Sequence, residues 1–379
     1  MDGALTMLDN VLVSAPIGGR FATAMYVLLR YLWLLILPYH LSFDYSYPEI
    51  TIHKFLDYKV IAAIVIYAAI VIYAIYKITK KDKIAYGILF YLITIGIAAN
   101  IVMLIGTVMA DRLLYMPSLG FCLVAAVLLS KLFKTKPAAN QVPAASLSGY
   151  LSSNRNVLLL TLLPVALYSF KTIDRVPVWR DNITLDKAGL TDAPNSSKAW
   201  YLYGIELKNK YAMEDKDTAS KSADLNLSEK ELEYAIKLYP GNAQAYRELG
   251  TVFMQKSDDA KAMQYFDKAL ALLPKDDVCL NNEAVVYARH GNINKAMDME
   301  KECVKWNPRF SDGLRNLGAC YSIAKIYDSA IMYFNEALKY NPDDIQSVKF
   351  LSNVYKDKGD PATSAQYDAQ VKKMEVAAK

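Results

Sequence analysis

Residues 240–274 read PGNAQAYRELGTVFMQKSDDAKAMQYFDKALALLP, and the proline that closes this stretch opens the next. Pro240, Pro274, Pro308 and Pro342 are evenly spaced, with the same interval each time. Ten residues after the first three prolines comes a small residue (Gly250, Ala284, Gly318), and three further on an aromatic one (Phe253, Tyr287, Tyr321). Ala262, Ala296 and Ala330 follow, and Ala269, Cys303 and Ala337 precede each closing proline by five. Small residues let two antiparallel helices approach, aromatics fill the gap, and proline ends the second helix. The second half of the chain therefore reads as a solenoid of helix pairs.

That interval, about 34 residues, is the period of the tetratricopeptide repeat, which the pattern resembles. Repeats are expected over 243–276, 277–310, 311–344 and 345–379, the last with a polar tail suited to capping. A degenerate repeat covers 197–242. It carries an insertion, since Pro194 and Pro240 lie 46 apart, and the polar stretch Lys210–Leu227 is expected to be a loop. The first helix of each repeat usually lines the concave face. Its row of Arg247, Asn281, Arg315 and Lys349, beside Asn282 and Asn316, has two readings: a clamp for a peptide carboxylate or backbone, or a solvated helix face.

The first half obeys another solvent. Residues 1–170 hold 13 Lys/Arg and 7 Asp/Glu, and the remainder 30 and 31, so the net charge of +5 divides into +6 and −1. The basic excess sits in the apolar half. From Ile84 to Ser130 the only charged side chains are Asp111 and Arg112, and from Tyr58 to Tyr76 only Lys59. Nineteen helical residues span about 28 Å, close to a hydrocarbon core. Five membrane helices are expected, about 21–38, 58–76, 84–105, 115–132 and 157–172, after a polar segment 1–20 and before a linker 173–196. The fold class is all-α: a polytopic membrane helix bundle followed by the solenoid.

Lys77, Lys80, Lys81 and Lys83 fall in one loop, and Lys131, Lys134, Lys136 and Arg155 in another on the same side. The positive-inside rule makes both cytosolic and the repeats extracytoplasmic: facing the periplasm of a bacterial inner membrane, or the lumen if the membrane is that of the ER. The start lacks a secretory signal pattern. Cys122 lies in a membrane helix, and Cys279, Cys303 and Cys320 have no CxxC spacing, so neither a disulfide framework nor a metal site is indicated. No P-loop, GxSxG, HExxH or GxGxxG motif is present, and the neutral second half argues against nucleic-acid binding.

Ionisable groups among apolar helices are functional candidates. Arg30, mid-segment, either works there or snorkels. Asp111 and Arg112 lie at the outer mouth between the third and fourth helices. Arg112 can hold a lipid-linked phosphate with Asp111 orienting it, or the two can simply pair. The loop containing Asp44, Tyr45 and Tyr47 sets a carboxylate among aromatic rings at the membrane edge, where tyrosine is also enriched for amphipathic reasons alone.

Residues 111–122, DRLLYMPSLGFC, resemble the (Asp/Glu)-Arg-x-Leu-Tyr-x-Pro-Ser-x-Gly-Phe-Cys motif of the TMTC transmembrane and tetratricopeptide-repeat proteins and their bacterial relatives. Phe43–Tyr47 followed by Ile50, Asp9–Asn10, Arg20–Phe21, and Arg175, Trp179 and Leu185 resemble other parts of that family, so the likeness covers essentially the whole chain. It implies a GT-C type glycosyltransferase, a protein O-mannosyltransferase in the eukaryotic members, with a polyprenyl-phosphate-linked sugar as donor and no other cofactor evident. The wording of the Asp44 loop looks bacterial. In GT-C enzymes the catalytic carboxylates lie in the first outer loop, and that portion is expected to be missing here. The catalytic residues are left unassigned. Two functions follow: the C-terminal part of a glycosyltransferase whose repeats recruit protein acceptors, or a non-enzymatic membrane-anchored scaffold binding a protein or peptide. Membrane lipids are partners in both.

Overall fold

A computed structural model describes residues 6–132, 155–213 and 218–377. The described residues are helices, turns and loops, with no strand among them. They form two compact units, one within residues 6–206 and the other within 207–377.

In the first unit, α1 (Ile17–Ile36), α2 (Tyr58–Ile78), α3 (Lys83–Ala98), α4 (Tyr115–Leu132) and α5 (Arg155–Arg175) carry the apolar sequence. Ile17–Ile36, Tyr58–Ile78 and Asp111–Leu132 are long and apolar enough to cross a membrane, and Lys83–Ala98 is a shorter apolar helix. Asp57 and Asp82 cap α2 and α3 by accepting from backbone N–H groups of their first turns. α3 and α4 pack antiparallel: a Cβ on Gly87 would lie 3.0 Å from the Gly120 carbonyl, and one on Gly120 2.6 Å from that of Gly87. Small residues at this crossing let the two backbones touch.

The third helix ends at Ala98 instead of continuing to 105. Asn100 takes a left-handed conformation (φ 56°), which asparagine tolerates better than most residues. Its side-chain amide donates to the carbonyls of Thr107 (3.1 Å) and Val108 (3.2 Å) and accepts from the Ile105 N–H (2.9 Å). The chain after α3 is therefore folded into a loop by one side chain, although its composition is as apolar as the helix before it. α5 runs Arg155–Arg175 with Pro164 in its interior. Lys134 and Lys136, two of the lysines used for the topology, lie outside the described residues.

Two shorter segments follow, α6 (Asn182–Asp192) and α7 (Ser197–Met213), the latter running into the second unit. The linker expected over 173–196 is thus largely helical. So is most of the stretch read as a loop near Lys210–Leu227: α7 reaches Met213 and α8 (Thr218–Leu238) begins five residues later. That stretch is polar, but it holds neither glycine nor proline and many helix-forming Lys, Ala, Glu and Leu residues, so polarity alone misled.

The remaining helices pair: α9 (Ala243–Gln255) with α10 (Asp259–Leu272), α11 (Asp277–Arg289) with α12 (Ile293–Trp306), α13 (Ser311–Ile323) with α14 (Tyr327–Tyr340), and α15 (Ile345–Asp357) with α16 (Pro361–Ala377). The first helices of the pairs recur at the same interval as the prolines. Gly250 faces the Phe266 ring and Gly318 the Phe334 ring, with no room for a side chain at either glycine. The stacked pairs Phe253–Tyr265, Tyr321–Tyr333 and Tyr355–Tyr367 fill the seams at ring separations of 5.3–5.6 Å.

Candidate functional site at the loop end of the apolar helices

The loops 37–57 and 99–110 meet at one end of the helices, here termed the loop end. The Tyr45 N–H donates to the Met109 carbonyl (3.1 Å), and the Asp111 N–H to the Ser42 carbonyl (3.0 Å). The Lys77–Lys83 turn is at the opposite end, where Lys131 pairs with Asp82 (3.6 Å).

Asp44 is buried. Its Oδ1 accepts from the Ser46 N–H (2.7 Å) and, closely, from the Ser46 hydroxyl. Its Oδ2 accepts from Thr107 (3.4 Å) and pairs with Lys198 (3.6 Å), which also holds Asp9 (3.0 Å). Burial raises the Asp44 carboxyl above its ordinary range, with Lys198 and the Ser46 hydrogen bonds opposing. Tyr45 is fully buried, donating to the His40 carbonyl (2.5 Å) and accepting from the Ser42 N–H (2.9 Å). The Arg30 guanidinium lies 4.9 Å from its ring centroid and 3.9 Å from Glu49. Tyr47 precedes a cis proline, and its carbonyl accepts from the Ser197 N–H (3.3 Å). Asp44 and Tyr45, read as membrane-edge groups, instead frame the interior of the loop end. Only the immediate alternation of polar and aromatic residues signals such a frame in sequence.

Asp111 and Arg112 open a short 3-10 turn, Asp111–Leu114, that leads into α4. Arg112 is exposed and its Nη1 donates to the Phe43 carbonyl (2.6 Å). The carboxylate of Asp111 faces another arginine: Arg175 Nη2 is 3.5 Å away, while Arg175 Nη1 bonds Asp192 at 2.6 Å. The expected orientation of Arg112 by Asp111 is therefore corrected. The 3-10 turn sends adjacent side chains in different directions, so Asp111 meets the end of α5 and Arg112 is steered by a backbone carbonyl. Arg175 also lines a cavity of about 210 Å³ with Tyr168, Lys171, Trp179, Pro38 and Leu41. Arg175 Nε is buried without a hydrogen-bond partner among the described residues. Sequence reading missed Lys171 and Lys198 as site residues. They lie far along the chain, and only the fold brings them to this end.

In the repeats, the expected row is held by acids and neighbouring repeats. Arg247 bonds Asp276 (2.8 Å) and Glu248 (3.0 Å), and Glu248 also pairs closely with Lys208. Burial pushes the Glu248 carboxyl up, but those two cations outweigh it and hold it below the ordinary range. Asn316 donates to Asn281 (2.8 Å), and Asn282 donates to Thr251 (3.1 Å). Arg315 is shared by Asp344 (3.1 Å) and Asp312 (2.8 Å), and Lys349 pairs with Glu375 (2.8 Å). In the row expected to be either a clamp or a solvated face, the three cations are thus each paired with carboxylates, and the asparagines bond to one another and to Thr251.

Fold and site together define an apolar helix bundle joined to tetratricopeptide repeats. Residues 8–71 match the family model described as Protein O-mannosyl-transferase TMTC, DUF1736, and residues 217–277 and 316–344 match tetratricopeptide repeat models. Protein O-mannosyl-transferase TMTC1 of Homo sapiens is 27% identical over 303 residues, covering 77% of this chain and 31% of that protein. TMTC3 of Homo sapiens is 22% identical over 340 residues, covering 83% and 33%. Among solved structures, MamA from Desulfovibrio magneticus is 17% identical with a TM-score of 0.38, covering 46% of this chain and 96% of that one. The chain is thus similar to the TMTC proteins, and alignments of 303 and 340 residues take in both its apolar half and its repeats. It spans about a third of the length of the curated relatives it matches.

Proposed function

We propose that this chain serves as the membrane-and-repeat part of a glycosyltransferase-like protein, which moves a sugar from a polyprenyl-phosphate donor to protein acceptors. The observation that carries the reading is the TMTC homology, which runs through the apolar half and into the repeats. The loop end adds chemistry suited to the donor. Exposed Arg112, with Lys171 beside an apolar cavity, can meet a phosphate on a lipid chain. Tyr168 and Trp179 supply the amphipathic rings that favour the headgroup level. The lysines at the turn end orient the helices with that end cytosolic, which sets the loop end and the repeats on the extracytoplasmic side. The repeats then hold acceptor proteins, and the paired side chains of their inner row can exchange acidic partners for groups on a peptide.

The test is hexose attached to extracytoplasmic proteins, measured by mass spectrometry in cells carrying wild-type, Arg112→Ala or Lys171→Ala protein at equal membrane levels. Loss in the variants is expected, and wild-type levels in both sink the phosphate role. Unchanged hexose after deletion of the whole gene sinks the glycosyltransferase reading itself.

A further inference from the structure

α1 is long and apolar enough to cross a membrane, yet its neighbours reach from the loop end no further than the middle of α2 and α3. At its start, Ile17, Arg20 and Phe21 line a cavity with Asn100–Leu104, and Phe55 and Ile52 sit against Gly18 and Gly19. In the middle, the Thr23 hydroxyl accepts from the His53 N–H (2.8 Å), and the Leu28 carbonyl accepts from Tyr67 (3.0 Å). Further on, the Tyr31 hydroxyl accepts from the Ala110 N–H (3.0 Å), and the Leu35 carbonyl takes a close hydrogen bond from Tyr168. These partners belong to the loop end, to the adjoining half of α5 (Tyr168) and to the middle of α2 (Tyr67). The core that α1 joins includes Val60, Ala63 and Tyr67 of α2 and Tyr91, Ile95 and Ala98 of α3, and no buried residue from the Lys77–Lys83 turn.

A helix of this length spanning beside α2 would bring one end to that turn, about 30 Å away. The segment before α1 makes the same point. Asn10 donates to Asn100 (2.8 Å) and to the Ile105 carbonyl (3.0 Å), and Asp9 pairs with Lys198, so both ends of α1 are at the loop end. Arg30 pairs with Glu49 of the loop, which keeps its charge out of hydrocarbon.

The apolar side chains of α1 that the protein leaves uncovered stand near its two ends: Ile17 (85% exposed) and Phe21 at the start, Trp33 (59%) and Ile36 at the finish. Between these ends Ala22, Met25, Leu28 and Tyr31 are buried. Half of α1 is buried, against 17% of each of the other two long apolar helices. Exposed apolar side chains at both ends of a helix, one of them a tryptophan, fit the boundary between headgroups and acyl chains.

We infer that α1 does not cross the bilayer but lies along its interface at the loop end, with Ile17, Phe21, Trp33 and Ile36 among the lipids. Residues 6–16 then share a side with the 37–57 loop and with the chain after α5, and the remaining apolar helices make four crossings.

The experiment is cysteine labelling in intact cells with a membrane-impermeant maleimide, before and after permeabilisation, in a Cys122→Ser background. The other three cysteines are buried. Single cysteines replace Ser14, Leu56 and Lys80, all exposed, with Pro16→Cys as a second reporter beside Ser14. The full chain is used, and folding is checked by size-exclusion chromatography in detergent. Ser14 and Pro16 are expected to label with Leu56 and opposite to Lys80, whichever side reacts first. Labelling of Ser14 and Pro16 with Lys80 makes α1 a spanning helix and overturns the inference. Leu56 and Lys80 labelling alike, or no labelling of Ser14 and Pro16 after permeabilisation, overturns it as well.

Discussion

Arg175 and Asp111 face each other across 3.5 Å at the loop end, and the same guanidinium holds Asp192 at 2.6 Å. One cation thus joins the end of α5, the start of the α4 turn and the end of α6. Removing it leaves two largely buried carboxylates without their counter-charge, a loss of about 3–5 kcal/mol for such a pair. Arg175→Ala is expected to lower the thermal unfolding midpoint of the detergent-solubilised chain sharply. Arg175→Lys restores only part, since an ammonium cannot reach two carboxylates with a planar fork. Arg112→Ala, at an exposed side chain, costs under about 1 kcal/mol. Equal losses for the two arginines would overturn this division between a structural and an open cation.

Gly87 and Gly120 set the spacing of α3 and α4. A Cβ on Gly120 would meet the Gly87 carbonyl at 2.6 Å and the Tyr91 nitrogen at 2.7 Å, both backbone atoms that cannot swing aside. Gly120→Ala therefore pushes the helices apart and is expected to cost about 1–3 kcal/mol. Gly96→Ala, where nothing lies within 4 Å of the added methyl, is the control, and its greater helix propensity should leave stability equal or higher. The measurement is the unfolding midpoint of each variant in the same detergent. Similar losses at both glycines would remove the close-packing argument.

The repeats were legible because every repeat unit restates the same physical requirement, and each prolyl stop, small residue and aromatic confirms the others. The apolar helices were legible in existence and less so in extent. Asn100 ends α3 through hydrogen bonds to residues up to Val108, and no composition window registers one asparagine. The site was legible in part: Asp111, Arg112 and the Asp44 loop do meet at one end. Their partners, Arg175, Asp192 and Lys198, were not legible, because charge pairing across folded loops leaves no periodic trace. Ile17–Ile36 was legible as a helix long and apolar enough to cross, although length and composition carry no information about where a helix lies.

Within the repeats, Phe266, Glu300 and Phe334 occupy equivalent positions in successive units, and all three are fully buried. Opposite them stand Gly250, Ala284 and Gly318. The repeat with the slimmer glutamate is the one with alanine in place of glycine. Glu300→Phe alone is expected to clash with the Ala284 methyl and destabilise, and Glu300→Phe with Ala284→Gly to recover most of the loss. A double-mutant cycle on unfolding free energies checks this, with a coupling of about 0.5–3 kcal/mol for residues in contact. Additive effects would show that the two positions are independent.

Glu300 also makes the repeat array sensitive to pH. Burial pushes its carboxyl up to about 9, with a hydrogen bond from Asn316 and the charge of Arg315 opposing. Glu283 moves in the same direction, to about 7, through burial and the nearby Asp267. An unfolded chain releases these protons near the ordinary glutamate value of 4.5, whereas the folded array keeps them until the raised values are passed. Between those limits the native state binds more protons than the unfolded one, so stability falls as pH rises. Glu300→Gln mimics the protonated acid and cannot ionise. It should flatten the decline between about pH 5 and about pH 9 and stabilise the array on the alkaline side by about 1–3 kcal/mol, the scale of one buried polar group left unsatisfied. Unfolding midpoints of both proteins across that range decide it: parallel pH profiles for wild type and variant would mean that Glu300 is already ionised in the folded repeat.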